Sequence, residues 1–338
     1  MNKLIGYVGS DHLALMKEDD ILALDGINIA FGVVREGKVF WEAHKCIDAL
    51  KRIKTVNPTI KILLSVGGWG AGGFSDAAIT EEGRKLFAQS AKDLVIEANL
   101  DGIDLDWEYP TVPAAGIDAR PEDKETFTLL LQEIRDALDT IESEEHLLLT
   151  IAAGAGEYYI KGTEIKKVAD ILDYIQVMTY DQASAYVTFT GHHTNLYNYA
   201  KTKASAKTYI DLFVDAGVPK EKIVMGAAFY SRKWDGVVDA NNGYRQEADT
   251  IGDFGPDYGE LVANYIGKNG YVRHWDDDAK APYLFNGSSY ISYDDEQSIG
   301  EKIDYLKAEG LYGIMYWEHK CDSTHTLTKF MAHRLKGE

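Results

Sequence analysis

The sequence predicts a (β/α)8 barrel of the α/β class with a small α+β insertion between its seventh and eighth strands. Three observations carry that reading. Eight β-rich runs recur along the 338 residues, each bounded by Gly, Asp or Pro. Several are apolar almost throughout, which suits strands covered on both faces of a parallel sheet better than a one-sided antiparallel sheet. Amphipathic segments lie between them, so strand and helix alternate about eight times.

In chain order the runs begin near Lys3 (KLIGYVG), Gly26 (GINIAF), Lys61 (KILLSV), Gly102 (GIDLDWE), Leu147 (LLLTIAA), Tyr174 (YIQVM), Lys222 (KIVMGAAF) and Gly313 (GIMYW). Glu81 to Glu97 and Pro121 to Ile141 show helical apolar spacing, and Pro-Glu-Asp opens the second with a fixed φ and the acids that a helix N-terminus favours. The start-to-start intervals are 23, 35, 41, 45, 27, 48 and 91 residues, so the last holds about twice a normal unit. Its excess, rich in Gly, Asp, Asn and aromatics, contains the strand-like pieces Tyr271–Trp275 and Ser289–Tyr293. Residues 1–232 and 294–338 are therefore expected to form the barrel, and 233–293 the insertion. A doubly wound open sheet is the competing architecture, but no G-x-G-x-x-G follows the first strand.

Composition narrows the partners. With 35 basic and 54 acidic residues the net charge is −19, which argues against a general electrostatic grip on nucleic acid or anionic lipid and leaves a neutral substrate open. Cys46 and Cys321 are too few for a disulfide scaffold and wrongly spaced for a zinc pair, so two buried thiols are expected. No apolar run approaches the roughly 18 residues of a membrane span. The N-terminal stretch has no signal-peptide h-region, so the expectation is a cytoplasmic protein or one whose leader has been removed. A monomer without cofactor or metal is expected.

The most informative segment is Asp101-Gly102-Ile103-Asp104-Leu105-Asp106-Trp107-Glu108-Tyr109-Pro110. Side chains alternate along a strand, so Asp104, Asp106 and Glu108 share one face and Asp101 takes the other. Inside a barrel that face looks inward, and at about 3.3 Å per residue Glu108 lies roughly 13 Å beyond Asp104, toward the C-terminal mouth where barrel active sites form. Such a row should share protons and keep one acid able to donate near neutral pH. A solvated acidic edge is the plainer reading, but Ile103, Leu105 and Trp107 need burial on the opposite parity. A Mg²⁺ or Ca²⁺ site is another; the spacing does not match an EF-hand loop, and no His-rich segment stands at another strand end.

This segment resembles the D-x-x-D-x-D-x-E signature of glycoside hydrolase family 18, the chitinase family, through Asp101, Asp104, Asp106 and Glu108. Ser65-Val66-Gly67-Gly68-Trp69 is similar to that family's S-x-G-G motif, and Met178-Thr179-Tyr180-Asp181 to its M-T-Y-D segment. Phe229-Tyr230-Ser231-Arg232 resembles a fourth block, in which the family more often has Gly where Ser231 stands. Trp317 matches the tryptophan that floors the sugar site, and the insertion resembles the extra module of the deep-cleft branch.

The resemblance implies a retaining hydrolysis in which the substrate's own 2-acetamido oxygen attacks C1 while Glu108 protonates the leaving oxygen. It implies that Asp106 accepts the acetamido N–H, that Asp104 shares a proton behind it, and that Tyr180 donates to the acetamido oxygen. Asp181 would hold a sugar hydroxyl and Arg232 would donate hydrogen bonds to the sugar. Tyr7, Phe31, Trp69, Met178, Tyr230 and Trp317 fall at or near strand C-termini, where rings can stack on pyranose faces. Taken alone, Phe31 or Met178 is as well explained by core packing. The adjacent His192-His193 would face opposite ways on a strand, so a loop near the cleft is expected rather than a metal pair. The expected substrate is chitin or chitooligosaccharide. The alternatives are an endo-β-N-acetylglucosaminidase acting on N-glycans or peptidoglycan, and a non-catalytic chitin-binding lectin, against which Glu108 argues.

Overall fold

The computed structural model describes residues 2–182 and 187–337. Its strands are, in chain order, β1 (Lys3–Gly9), β2 (Gly26–Arg35), β3 (Lys38–Phe40), β4 (Lys61–Gly67), β5 (Gly102–Asp106), β6 (Leu148–Gly154), β7 (Tyr174–Met178), β8 (Ile223–Ala228), β9 (Arg232–Asp235), β10 (Asp253–Phe254), β11 (Val272–Asp276), β12 (Ala281–Phe285), β13 (Ser289–Ser292) and β14 (Gly313–Trp317). Parallel pairing runs β1-β14-β8-β7-β6-β5-β4-β2 and closes through β1–β2, giving the eight-stranded parallel barrel that the strand runs predict. The short β3 pairs antiparallel with the end of β2 and lies outside the barrel.

Strand parity divides the core in two. On the outward parity Leu4, Ile27, Leu64, Ile103, Ile151, Ile175 and Ile314 are buried in one cluster with the helices. On the inward parity Ile5, Tyr7, Ala152, Tyr174, Val224 and Met315 form a separate apolar cluster. A strand covered on both faces needs apolar residues at both parities, which is why the runs read as nearly continuous.

The helices follow their local chemistry. Thr80 accepts a hydrogen bond from the Gly83 backbone N–H at 3.0 Å and opens Glu81–Ala98, with Glu81 and Glu82 in its first turn. The next long helix starts at Asp123, two residues after the expected Pro121. The Asp123 carboxylate accepts from Ser75 Oγ at 2.6 Å and from the Arg120 backbone N–H at 2.7 Å, so the residues just before the helix are held in a turn. Among the described residues no helix is long and apolar enough to cross a membrane.

Between β8 and β14 the chain forms a second, antiparallel sheet in the order β10-β9-β13-β12-β11, with the helix Tyr258–Asn264. Its own core is Trp234, Val237, Tyr283, Phe285 and Tyr290. A buried ion pair joins it to the barrel: Lys302 Nζ lies 2.5 Å from Asp294 Oδ2 and 2.6 Å from Thr194 Oγ1. The same carboxylate accepts from the Ala228 backbone N–H at 3.1 Å and from Ser298 Oγ at 2.7 Å, so the end of β8, the residues after β13 and the helix Glu296–Glu309 meet on one group. Lys302→Ala is expected to destabilise the protein by about 3–5 kcal/mol by leaving a buried charge unpaired. The Lys302→Met/Asp294→Asn double variant should regain part of that loss; urea unfolding of wild type and both variants measures it.

Candidate active site

Asp104 lies fully buried inside the barrel and accepts four hydrogen bonds from four other strands. Tyr7 Oη donates to Oδ2 at 2.9 Å and Ser65 Oγ at 2.7 Å, while Thr150 Oγ1 donates to Oδ1 at 2.7 Å and Gln176 Nε2 at 3.0 Å. Gln176 is oriented in turn by Asn28, whose Nδ2 donates to its Oε1 at 2.9 Å, and its amide also donates to Tyr7 Oη at 3.0 Å. Every lone-pair direction of the Asp104 carboxylate is therefore taken by a positioned donor.

Asp106 and Glu108 continue the row, Asp106 on the last residue of β5 and Glu108 just beyond it, both buried. Burial raises the proton affinity of Asp104, opposed by its four donors. Asp106 is pushed well above the usual carboxylate range by burial first, then by Glu108 and Asp104, and among the described residues its Oδ1 has no partner. Glu108 is raised to about 7, chiefly by burial, with Asp181 adding to the shift and the Tyr109 hydroxyl opposing it. The row holds protons at pH values where ordinary carboxylates have lost them.

Two glycines make room for this row. Gly67, at φ +126°, packs so closely on β5 that a Cβ there would lie 2.0 Å from the Asp106 carbonyl oxygen. On Gly226 of β8 a Cβ would lie 2.9 Å from Tyr180 Cε1, so the missing side chain lets the Tyr180 ring lie across that strand. Tyr180 stays protonated: burial, then the charges of Asp106 and Glu108, hold its hydroxyl well above its ordinary value.

Asp181 accepts from Arg232 Nε at 2.8 Å, and the buried His193 Nδ1 stands 3.7 Å away. Burial works against its charge, but His193 and Arg232 outweigh that and hold the carboxyl below the usual carboxylate range. The Arg232 guanidinium lies 3.9 Å over the Phe254 ring, and Phe254, on β10, is 66% exposed.

The aromatic residues sort by depth. Trp317, partly exposed, stacks on Phe31 at 5.3 Å between ring centroids and packs on Tyr7 at 5.7 Å. Trp69 is 57% exposed and meets Tyr109 edge-on at 6.4 Å. Met178 is partly exposed and packs with the barrel interior, while Tyr230 is buried between Tyr180, His193 and Phe254. Tyr7 departs from the expectation of a sugar-facing ring. It is 2% exposed, because its position on β1 points it into the barrel where its hydroxyl serves Asp104. His192 and His193 do lie in a loop, but both are buried and apart in role: His192 Nε2 pairs with Asp276 Oδ2 at 3.0 Å, and His193 faces Asp181. Asp101, on the opposite parity, accepts from Lys54 Nζ at 2.6 Å and from the Ile62 backbone N–H at 2.7 Å at the far end of β5.

Sequence reasoning missed Asn28, Thr150 and Gln176 as supports of Asp104, and Gly226 beside Tyr180, Tyr109 beside Glu108 and Phe254 beside Arg232. The first three had a signal: each is the lone polar residue inside an apolar strand run.

A parallel (β/α)8 barrel with buried carboxylates at the C-terminal end of a strand defines a barrel enzyme site. The chain belongs to glycosyl hydrolases family 18, whose profile matches residues 3–322. It is 43% identical over 305 residues to chitinase A1 of Niallia circulans, spanning 83% of this chain and 43% of that protein. To chitotriosidase-1 of Mus musculus it is 36% identical over 282 residues, spanning 79% of this chain and 60% of that one. The chain thus spans about half the length of these curated relatives. Among solved structures, a family 18 N-acetylglucosaminidase from Paenibacillus barengoltzii superposes with a TM-score of 0.97 at 51% identity, covering 99% of this chain and 100% of that one.

The raised Glu108 value has a stability consequence. From its ordinary 4.5 to about 7 the unfolded chain releases this proton while the folded protein keeps it, so stability is lost as pH rises through that window. Glu108→Gln removes the penalty. Its stability relative to wild type should rise by about 3 kcal/mol between pH 4.5 and 8 and level off above 7. Urea unfolding of both proteins at several pH values reads it.

Proposed function

We propose that this protein is a retaining glycoside hydrolase that cleaves β-1,4-linked N-acetylglucosamine chains, chitin or chitooligosaccharides, with Glu108 as general acid and base. The observation that carries this is the buried row Asp104, Asp106, Glu108 with Glu108 raised to about 7, an acid protonated at neutral pH beside a carboxylate that can take up charge. All three acids come from β5 and the two residues just past it, so the row offers its carboxyl groups from one side, which favours a nucleophile supplied from elsewhere over the paired carboxylates of a two-carboxylate glycosidase. The acetamido group of the substrate fills that role.

In this reading Glu108 protonates the leaving glycosidic oxygen as the acetamido carbonyl oxygen attacks C1, giving an oxazolinium ion. Water, activated by the Glu108 carboxylate, then opens it with retention. Asp106 accepts the acetamido N–H and Tyr180 donates to the acetamido oxygen, fixing the nucleophile near C1. Asp104, pinned by four donors, stands beneath Asp106 and can share a proton with it. Asp181, Arg232 and Met178 line the sugar, Trp317 backed by Phe31 floors it, Trp69 faces a neighbouring unit, and the buried Tyr230 supports Tyr180 from behind. The cation–π contact of Phe254 with Arg232 supports the insertion, residues 233–293, as a wall of the cleft. The net charge of −19 supports a neutral glycan rather than nucleic acid or a membrane surface, and one chain holds the whole constellation, which supports a monomer.

A second reading is an N-acetylglucosaminidase that releases single sugars, favoured by the likeness to the Paenibacillus barengoltzii enzyme of that name. Products from chitotetraose separate the two: disaccharide favours the chitinase reading and monosaccharide the second.

Glu108→Gln should retain oligosaccharide binding and lose about 10²–10⁴-fold in kcat. Loss of less than about tenfold would remove Glu108 from the acid role. In wild type, kcat/KM should fall about tenfold per pH unit above about 7, as Glu108 loses its proton. Fully deacetylated oligomers, which offer no carbonyl oxygen, should not be cleaved; their efficient hydrolysis would point to a protein nucleophile.

A further inference from the structure

A cluster that shares no residue with the carboxylate row has the donors of a metal site. Asp20 on the helix Glu18–Ala23, His319 just after β14, and His325 at the start of the C-terminal helix Thr326–Lys336 each offer one ligand atom, and these atoms lie within 4.8 Å of one another. Protein contacts leave this cluster partly unsatisfied. His325 Nδ1 stands 2.5 Å from Asp20 Oδ2, yet Asp20 is fully buried and its Oδ1 has no hydrogen-bond partner among the described residues. His319 Nε2 stops 3.7 Å from Asp20 Oδ2, beyond hydrogen-bond reach. Tyr316 Oη engages the other His319 nitrogen, Nδ1, at 3.1 Å and so presents Nε2 toward the carboxylate, as outer groups do for ligating histidines.

We propose that Asp20, His319 and His325 bind a divalent ion of the zinc class, with a fourth position left to water. Two imidazoles and a carboxylate suit such an ion better than Mg²⁺ or Ca²⁺. Ligand atoms of a tetrahedral zinc site lie about 3.3 Å apart, and the 2.5 and 3.7 Å separations here bracket that value. The ion gives the Asp20 carboxylate and the His319 Nε2 atom a common partner. It ties together the first helix, the segment two residues past Trp317 and the C-terminal helix, so its role is structural.

The test uses the full chain, stripped with a chelator and titrated with Co²⁺ and then Zn²⁺. One equivalent of Co²⁺ should bind at micromolar concentration with the visible absorption of a tetrahedral site, and Zn²⁺ should displace it. At a hundredfold excess of Zn²⁺ over its Kd the Tm should rise by about 4 °C. His319→Ala and His325→Ala should each weaken binding tenfold or more, with circular dichroism confirming that they fold. Failure of wild type to bind either ion below about 1 mM overturns the proposal whatever the variants do. Unchanged binding by the folded variants overturns it too, because the ion would then sit elsewhere. Neither result depends on hydrolysis, so the assignment of Glu108 stands or falls separately.

Discussion

A single buried carboxyl group organises the inside of this barrel. Taking a carboxylate out of water carries a penalty of several kcal/mol unless fixed donors replace its hydration. Asp104 meets donors from β1, β4, β6 and β7, so the bonds that make its charge tolerable also set how those strands face one another. The consequence passes up the strand. Asn28 fixes the Gln176 amide and Gln176 donates to the Tyr7 hydroxyl, so two of the four donors to Asp104 are held in their donating orientation. Protons entering the row are directed to Asp106 and Glu108, where burial and mutual repulsion already favour them. A packing requirement at the barrel centre thereby governs protonation at its mouth.

Much of this was legible in the sequence, because the barrel rests on local patterns. A strand buried on both faces reads as a short apolar run wherever it lies, and the observed β1, β2, β4 to β8 and β14 fall on the eight runs. The acidic row was legible for the same reason: alternation along five residues places Asp104, Asp106 and Glu108 together without any knowledge of distant segments. Helix starts were less sharp. Pro121 suggested an opening that Asp123 decides, through bonds to Ser75 and the Arg120 backbone.

What stayed hidden depends on partners far apart in the chain. Gln176 in YIQVM and Asn28 in GINIAF are visible as polar residues in apolar runs, but their contact joins positions 148 residues apart. Tyr7 was read as a cleft aromatic because it lies near a strand end; parity, which the acidic row had used so well, would have turned it inward with Ile5. Gly226 has no local signal, since its use is the width of the Tyr180 ring, two residues past the end of the neighbouring β7. The histidines after the last strand were passed over when a metal was weighed, because the carboxylate beside them, Asp20, is 305 residues from His325.

The insertion leaves and rejoins the barrel through strands paired with each other, Arg232 of β9 lying opposite Ser292 of β13. Its two ends are therefore already side by side, and the chain between them is a closed detour whose length scarcely changes the entropy of joining its ends. The barrel side holds that doorway through the Asp294–Lys302 pair beneath it, and meets the sheet beyond through His192 on Asp276 and through the Leu196 backbone N–H, which donates to the Ala279 carbonyl. Residues beyond the doorway that make none of these bonds can lengthen, shorten or change while the paired ends keep their place. The outer edge of the insertion is thus free to vary while the carboxylate row stays fixed.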